Sequence, residues 1–344
     1  MTTPHILSPM QDGIVIMASE GIVPQAQKVA DRLRALALPI EFKALTIKTF
    51  SYPETCVDID MNVRGKTVFL FHGFTRRPND DLMKMMIICD ALRRSSAKNI
   101  VLVTPFLPYS RQDRLLSREP FSAKLIASLI EINPIITQMV TFDLHAPQIS
   151  GFFTNIQVEN IPSRALFIPH IRQKYAGKLK KTTVVSTDVG GAKNARYVAE
   201  VLGLEVAIVD KRRNKEKSEA LSLVGEVKEN AIIIDDIGDS AGSLIDACTI
   251  VRKAGAINVD AFVCHALQSP KNGTTAEAKL KVAQLPITFI DTFPREANYY
   301  KKHPAAHVIP ADAFLADIIC ALISVNGSVK GTIKSWINKE GIPE

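Results

Sequence analysis

The sequence of 344 residues is poor in cysteine and tryptophan, with five cysteines and one tryptophan. The cysteines are odd in number, lie far apart among apolar residues and form no C-x-x-C pair. This arrangement argues against a disulfide framework and against a zinc site, and it favours a reducing compartment. The five residues are Cys56, Cys89, Cys248, Cys264 and Cys320.

Long hydrophobic runs are also missing. The N-terminal residues show no basic segment followed by an apolar stretch, so we expect no signal peptide. The most apolar late stretch, residues 315–325, is short and contains Asp317, which predicts a core helix rather than a membrane span. We therefore expect a cytoplasmic protein with no membrane partner.

Neither sign of charge dominates the sequence. Lysine and arginine together number 42, aspartate and glutamate 35, and the net charge is +7. Such a surplus suits anionic partners but does not separate nucleotides from nucleic acid or a membrane surface. Apolar residues make up 47% of the chain, which excludes a disordered protein, and the length predicts two domains of ordinary size.

Short apolar runs alternate along the chain with segments of helical period. This rhythm predicts an α/β fold, in which helices cover both faces of parallel sheets. Polar residues and Pro162 interrupt it near residues 158–163. We therefore predict domains at 1–160 and 161–330 and a tail at 331–344, with the final helix packed back on the first domain. The predicted strands are residues 14–18, 68–71, 100–103, 139–142, 183–186, 206–209, 232–234 and 259–264, and predicted helical faces span residues 82–89, 192–202 and 244–251.

The most informative segment is A-I-I-I-D-D-I-G-D-S-A-G-S at residues 231–243, which joins a buried strand to a helix predicted to start near Ser240. Small side chains let backbone amides approach an anion, and the helix N-terminus adds its positive dipole end. Asp235 and Asp236 come at the carboxyl end of the strand, where α/β sheets bind ligands. Carboxylates there suit sugar hydroxyls or a hydrated metal. An ordinary strand-to-helix turn capped by serine is the open alternative. The sequence has no G-x-x-x-x-G-K-[ST] motif for a Walker-type site.

This segment resembles the 5-phosphoribosyl-diphosphate-binding loop of type I phosphoribosyltransferases and of ribose-phosphate pyrophosphokinases. The resemblance implies that Asp235 and Asp236 contact the 2- and 3-hydroxyls of ribose. Ala241 stands where these families often have glycine, so we expect a slightly different loop geometry. The residues implied to wrap the 5-phosphate are Asp239, Ser240, Ala241, Gly242 and Ser243.

Two segments favour the pyrophosphokinases over the transferases. P-Y-S-R-Q-D-R at residues 108–114 resembles the P-Y-[AS]-R-Q-D of that family, which implies that Arg111 and Gln112 contact ATP. D-L-H-A-P-Q-I-S-G-F-F at residues 143–153 resembles D-L-H-A-x-Q-I-x-G-F-F, which implies that His145 binds ATP and meets its phosphates or Mg²⁺. From the residues alone, a charged surface turn and a packed histidine are the alternatives.

A third segment, V-S-T-D-V-G-G at residues 185–191, resembles the V-S-P-D-x-G-G of the pyrophosphokinases. It implies that Asp188 ligates Mg²⁺, a hard cation that takes a few carboxylates together with substrate phosphates. The two glycines open the next helix.

The segment V-D-K-R-R-N-K-E-K at residues 209–217 is rich in lysine and arginine. The resemblance places a mobile catalytic loop here, in which Lys211 and Arg213 stabilise phosphate charge in the transition state and Arg213 also contacts ribose 5-phosphate. From composition alone, a solvated basic loop or a nucleic-acid patch is the alternative.

The segment F-S-Y-P-E at residues 50–54 stands where the family commonly has F-S-D-G-E. The resemblance implies a hairpin that projects into the ATP site of a neighbouring subunit, with Phe50 packed on adenine and Glu54 also in the site. Because Pro53 fixes φ and removes a donor, we expect this hairpin to differ. F-H-G-F-T-R at residues 71–76 also departs from the usual Q-S-T-like stretch.

As a whole, the resemblance implies two type I phosphoribosyltransferase-like domains, each a mainly parallel sheet flanked by helices, with the active site between them. It implies transfer of the pyrophosphoryl group of Mg-ATP to the anomeric hydroxyl of ribose 5-phosphate, giving 5-phosphoribosyl 1-diphosphate and AMP. It also implies a homo-oligomer, a hexamer built from dimers.

Three other functions stay open at this point: a catalytically weak regulatory relative, a type I phosphoribosyltransferase and a nucleic-acid-binding protein. The presence of Asp188, His145, Lys211 and Arg213 favours catalysis. The R-Q-D and D-L-H segments speak against a transferase. Basic residues gathered in one segment, rather than along a salt-sensitive face, speak against nucleic acid.

Overall fold

The computed structural model describes residues 13–115, 117–213, 219–296 and 298–341, except for the side chains of residues 211–213 and 219–221. Strands and helices alternate along it. The first elements are β1 (Ile14–Ala18), α1 (Val23–Ala35), β2 (Ile40–Ala44), β3 (Thr46–Thr49), β4 (Thr55–Asp58), β5 (Thr67–Phe71), α2 (Pro78–Arg94), β6 (Asn99–Val103), α3 (Ser122–Glu131), β7 (Ile136–Phe142) and β8 (Gln157–Ile161), with a 3₁₀ helix at Pro147–Phe152. They are followed by α4 (Arg164–Lys174), β9 (Thr182–Ser186), α5 (Ala192–Leu202), β10 (Glu205–Arg213), β11 (Glu219–Val224), β12 (Asn230–Ile237), α6 (Gly242–Lys253), β13 (Asn258–His265), α7 (Ala276–Val282), β14 (Ile287–Ile290), α8 (Tyr299–Lys302), β15 (Ala306–Ile309), α9 (Asp312–Ile323) and α10 (Val329–Ile337), with a short 3₁₀ turn at Leu179–Lys181.

The chain divides into two compact units. The first unit takes the described residues up to Ile161 together with Ala311–Thr332. The second unit takes Pro162–Pro310 and the described residues from Ile333 onward. The first unit therefore contains a late segment of the chain as well as its first half.

The first unit is built on a six-stranded sheet in the order β2-β1-β5-β6-β7-β8, and every neighbouring pair in it is parallel. β1 and β5 are buried along their whole length, which explains their continuous apolar runs. The late helix α9 packs on α1, and Arg32 Nε donates to Asp312 Oδ2 over 2.6 Å. The ring of Phe314 lies 6.2 Å from that of Phe142 at the end of β7.

A separate antiparallel hairpin, β3–β4, accompanies this sheet. Its strands pair Thr46 with Asp58 and Thr49 with Thr55, so that residues 50–54 form the turn. The segment F-S-Y-P-E is therefore the tip of a hairpin, as the sequence predicts.

The second unit is built on a seven-stranded sheet in the order β11-β10-β9-β12-β13-β14-β15. Its pairs are parallel except for β10 with β11, which is antiparallel and lies at one edge. The apolar face of α6 is buried, as predicted from its helical period. That face consists of Leu244, Ala247, Cys248 and Val251.

The predicted fold class is confirmed, and each predicted strand lies inside an observed strand. The apolar stretch at residues 315–325 lies mostly in α9, a helix with a buried face, as expected of a core helix. Within the described ranges, no helix is both long enough and apolar enough to span a membrane.

Two boundaries differ from the sequence-based prediction. Residues 210–213 were expected in a loop, but β10 continues through Arg213 because β11 pairs with it, with Arg213 opposite Glu219. Residues 214–218, the rest of that segment, lie outside the described residues. The helix expected near Ser240 begins two residues later, at Gly242.

The segments predicted to be the domain seam and the tail both contain regular structure. The expected break at residues 158–163 overlaps β8, which pairs with β7 through partners such as Met139 and Val158. The expected tail from residue 331 overlaps α10, which buries Trp336. Both segments contain several polar residues. Each becomes regular because it pairs or packs with residues that are distant along the chain.

Candidate active site

Two chain segments come together at the carboxyl edge of the second sheet, where β9 and β12 are neighbours. Their ladder ends with the pair Ser186 and Ile234. Immediately beyond it, the chain carries Thr187 and Asp188 after β9 and Asp235 in β12. The predicted Mg²⁺ ligand and a predicted ribose-binding acid thus lie at the edge of the sheet where α/β folds bind ligands.

The predicted phosphate loop leads into α6. Its residue Ala241 has a left-handed backbone, with φ 62° and ψ 4°, and among the described residues no side chain caps the helix there. The N-cap residue therefore supplies no side-chain acceptor to the amides of the first turn, which is the end of a helix where anions bind. Gly238 anchors the start of the loop, since its N–H donates to His265 O at 2.9 Å and its carbonyl accepts from Gln268 N at 3.0 Å.

The two predicted ribose-binding acids lie next to each other in the last part of β12. Asp235 Oδ1 accepts from the amide of Asp236, and Asp236 Oδ1 accepts from the amide of Ile237, both at 2.9 Å. Burial raises the pKa of Asp235 well above its usual value, and the neighbouring Asp236 carboxyl raises it further. The structure thus brings two carboxyls close together. The free-energy cost of ionising both of them falls when hydroxyl donors or a cation lie beside them.

Asp188 lies in a tight turn after β9. Its carbonyl accepts from Ser186 Oγ at 2.7 Å, and its Oδ1 accepts from the amide of Gly191 at 2.9 Å. A Cβ on Gly191 would lie 2.8 Å from Ser186 Oγ and would displace the hydroxyl that donates to Asp188 O. The side chain of Asp188 is exposed, which leaves it accessible to a ligand.

A metal could be held here through few protein ligands. Among the residues that the structure describes, no group of three or more His, Cys, Asp or Glu side chains forms a metal cage. Mg²⁺ keeps several waters and often uses one or two carboxylates with substrate phosphates. One accessible carboxylate, that of Asp188, at the same sheet edge as the predicted phosphate loop fits that cation and does not fit a structural zinc site.

In the first unit, Arg111 and Gln112 line a cavity of about 330 Å³ together with Arg114, Glu119 and Pro120. Gln112 is held against the first residues of α3. Its carbonyl accepts from Ala123 N at 3.1 Å, and its side chain accepts from Ser122 Oγ. The two residues predicted to contact ATP therefore share one concave surface.

His145 lies shortly after β7 in the first unit and is exposed. The preceding turn is held by two hydrogen bonds, from Asp143 N to Ile161 O and from Leu144 N to Asn160 Oδ1, both at 3.0 Å. Asp143 has a positive φ of 22°. These contacts fix the backbone that presents His145 at the surface.

The tip of the β3–β4 hairpin is also exposed. Phe50 is 59% exposed and Tyr52 76% exposed. The amide of Phe50 donates to Glu54 O at 3.0 Å, which closes the turn around Pro53. The hairpin thus forms despite the proline and presents two aromatic rings to the surroundings.

The two predicted catalytic cations lie in β10 with their backbones paired to β11, Lys211 opposite Leu221 and Arg213 opposite Glu219. Their side chains lie outside the described part of the chain. Their roles stay predictions.

The predicted site residues fall into two groups according to the unit that carries them. The second unit holds the acids of β12, the phosphate loop, Asp188 and the backbone of Lys211 and Arg213. The first unit holds Phe50, Glu54, Arg111, Gln112 and His145.

Sequence reasoning missed two polar residues. Thr187 lies in the segment that resembles V-S-P-D, at the proline position, and its hydroxyl contacts Asp235. His72 follows β5 and is 1% exposed, and among the described residues its two ring nitrogens have no hydrogen-bond partner. Burial lowers the pKa of His72 to about 4. Each of the two residues lies where the sequence departs from the family pattern, and that departure was the one sign of them in the sequence.

Comparison with known proteins identifies relatives along almost the whole chain. A family model described as the N-terminal domain of ribose phosphate pyrophosphokinase matches residues 14–133. A ribose-phosphate pyrophosphokinase of Bradyrhizobium diazoefficiens is 37% identical over 317 residues, which cover 91% of this chain and 96% of the relative. One from Campylobacter jejuni is 40% identical over 262 residues, which cover 75% of this chain and 82% of the relative.

A solved structure shares the fold of most of the chain. The crystal structure of phosphoribosylpyrophosphate synthetase from Mycobacterium smegmatis matches with a TM-score of 0.79 at 30% identity, and the match covers 90% of this chain and 99% of that one. The match supports the prediction of two phosphoribosyltransferase-type units with mainly parallel sheets. On these similarities in sequence and fold, the chain belongs to the ribose-phosphate pyrophosphokinase family.

Proposed function

We propose that this protein transfers the diphosphoryl group of Mg-ATP to the anomeric hydroxyl of ribose 5-phosphate, giving 5-phosphoribosyl 1-diphosphate and AMP. The anomeric oxygen attacks the β-phosphorus of ATP, the bond from that phosphorus to the oxygen of the α-phosphate breaks, and AMP leaves. Membership of the family supports this activity. One observation carries it. At one edge of the sheet, two acids at the end of β12 are followed by the start of α6, where no side chain among the described residues caps the helix.

Ribose 5-phosphate binds, in this proposal, to the second unit. The 5-phosphate accepts hydrogen bonds from the amides of residues 239–243 and gains from the positive end of α6. The sugar hydroxyls donate to Asp235 and Asp236. Such donors lower the free-energy cost of holding two carboxyls side by side. Burial, and then the nearby Asp236 carboxyl, raises the pKa of Asp235.

ATP is bound, in this proposal, by residues that the first unit carries. Arg111 and Gln112 line the cavity of about 330 Å³ and contact the nucleotide, with the planar guanidinium suited to stacking on adenine. His145 contacts the phosphates or the metal that they bind. The exposed Phe50, with Glu54, serves the ATP site of a neighbouring subunit.

Mg²⁺ is the cofactor that the donor set fits, with Asp188 as its protein ligand, and His145 is a second candidate ligand. When bound, it neutralises phosphate oxygens and polarises the phosphorus that is attacked. The cations Lys211 and Arg213 add positive charge where negative charge develops, which is the main way in which proteins accelerate phosphoryl-type transfer.

An assay of AMP release tests this function. We expect release that requires both ribose 5-phosphate and Mg²⁺, and loss of turnover in Lys211→Ala with binding of ribose 5-phosphate retained. The matched control is Lys253→Ala, which removes an exposed lysine from the end of α6. AMP release without ribose 5-phosphate, or its complete absence in the unaltered protein, would contradict the proposal.

We also propose a cytoplasmic homo-oligomer, a hexamer built from dimers, in which the two units act as an ATP-binding and a ribose 5-phosphate-binding domain. The absence of a disulfide-type cysteine pattern in the sequence and the exposed aromatic tip of the β3–β4 hairpin support it.

A further inference from the structure

Thr187 lies in the segment after β9, next to the end of β12 that carries Asp235, and its side chain is buried, with 2% exposed. It follows β9 directly, one residue before Asp188. Its hydroxyl donates to Asp235 Oδ2 over 2.9 Å, across the gap from β9 to β12. A buried hydroxyl at this position therefore connects the turn of Asp188 to an acid of the other strand.

The carboxylate of Asp235 is held at both of its oxygens. Oδ1 accepts from the amide of Asp236 at 2.9 Å, and Oδ2 accepts from Thr187 Oγ1 at the same distance. Two donors on different strands fix the plane of the carboxylate as well as its position. Each carboxylate oxygen has a second lone pair that these two donors leave unused.

Thr187 also replaces a residue that cannot make this contact. The segment of residues 185–191 resembles V-S-P-D-x-G-G, and proline carries no hydroxyl and fixes φ. In this chain the threonine at that position donates to Asp235, while Ser186, which the pattern shares, donates from Oγ to Asp188 O at 2.7 Å. The contact is thus a property of this chain's own sequence.

We propose that Thr187 is a positioning residue, whose hydroxyl holds the Asp235 carboxylate in the orientation that accepts hydroxyls of a ribose phosphate. The inference rests on the proposed function, because it assigns Asp235 to the sugar. A carboxylate already held in the bound orientation loses little side-chain entropy when the sugar arrives, and a freely rotating one loses more.

The test compares Thr187→Val, which keeps the shape and removes the hydroxyl, with Thr187→Ser, which keeps the hydroxyl. Titration calorimetry of each with ribose 5-phosphate gives the dissociation constant directly. We expect Thr187→Val to weaken binding about tenfold, the scale of one hydrogen bond in the site, and Thr187→Ser to restore most of it. The KM for ribose 5-phosphate should rise in parallel, with the KM for ATP unchanged.

Inorganic phosphate serves as a second probe, because it occupies the loop without touching a sugar-binding acid. We expect the affinity for inorganic phosphate to be equal in the unaltered protein and in Thr187→Val. A general distortion of the site would weaken both ligands, so equal losses for the two would overturn the positioning role.

The control is Thr183→Val, on β9, the strand that precedes Thr187. Thr183 is fully buried, and its hydroxyl accepts from the amide of Lys228 at 3.0 Å, away from the acids. We expect it to lower the melting temperature without changing ribose 5-phosphate affinity. If the unaltered protein binds no ribose 5-phosphate, the proposed function fails. If it binds and Thr187→Val binds equally well, the function stands and the role of Thr187 is refuted.

Discussion

At the residue scale, Ala241 holds a backbone conformation that alanine rarely adopts. Its φ is 62°, and its side chain is buried against the core of the second unit. A left-handed conformation costs a residue with a Cβ about 1–2 kcal/mol. The position needs that conformation because the chain turns there into α6, which is why related loops often have glycine.

A pair of glycine variants measures this strain. Ala241→Gly and Ala247→Gly each remove one methyl group from the same apolar cluster. Glycine relieves about 1 kcal/mol at the left-handed residue and costs about 1 kcal/mol inside the helix. We therefore expect Ala241→Gly to be more stable than Ala247→Gly by about 2 kcal/mol in urea unfolding. Equal stabilities would show that the loop stores no strain.

His72 gives the first unit a dependence on pH. Its burial lowers the folded-state pKa from 6.5 to about 4. As the pH falls below 6.5 the unfolded chain binds a proton that the folded chain excludes, so stability is lost between pH 6.5 and pH 4. His170 in the second unit, with a pKa also lowered to about 4 chiefly by burial, acts in the same direction.

The variant His72→Gln isolates this contribution, since His170 is unchanged in it. We expect the unaltered protein to lose about 2 kcal/mol more than the variant between pH 7 and pH 5. Urea unfolding at the two pH values measures the difference. The same loss in both proteins would mean that His72 has the same pKa in the folded and the unfolded chain.

At the scale of elements, the β3–β4 hairpin is a candidate functional element of the first unit. Phe50 lies at its tip and is mostly exposed, so its side chain contributes little to the stability of the chain. An exposed aromatic ring held by a closed turn suits stacking on a base.

Replacing Phe50 by alanine tests this role. Because stacking on a base contributes about 1–3 kcal/mol, we expect the KM for ATP to rise about tenfold with the melting temperature unchanged. The control is Met83→Ala, which removes an equally exposed apolar side chain, at 59%, from α2. An unchanged KM in Phe50→Ala would remove the hairpin from the nucleotide site.

The elements that sequence reasoning found are those with continuous apolar runs. β1 and β5 are buried on both faces, so their composition alone marks them as strands. β8 and β15 are only partly buried, and β8 contains Glu159 and Asn160. Such segments become strands because a neighbouring strand satisfies their backbone groups, a contact that local composition does not record.

At the scale of the whole molecule, the proposed assembly predicts that defects in different chains complement each other. If the hairpin serves a neighbouring subunit, a Phe50→Ala chain supplies an intact Lys211 and a Lys211→Ala chain supplies an intact Phe50. Co-expression should then give about a quarter of the sites both intact groups, and hence the unaltered KM for ATP, under random association in a closed homo-oligomer. AMP release from the purified mixed assembly measures the recovery.

Two results would contradict this prediction. Recovery no greater than the sum of the two single variants would mean that each chain uses its own hairpin. A monomeric protein in analytical ultracentrifugation would exclude the shared site altogether.

By itself, the sequence predicted the α/β class, eight of the strands, several of the helices, and the groups proposed to bind a ribose phosphate and a nucleotide. These follow from hydrophobic period and from motifs whose residues are adjacent in the chain. Only the tertiary structure decided that β10 extends through Arg213, that Ala241 turns left-handed and that Thr187 meets Asp235. Each of these depends on a partner strand or a packed core distant along the chain, and local composition cannot specify such a partner.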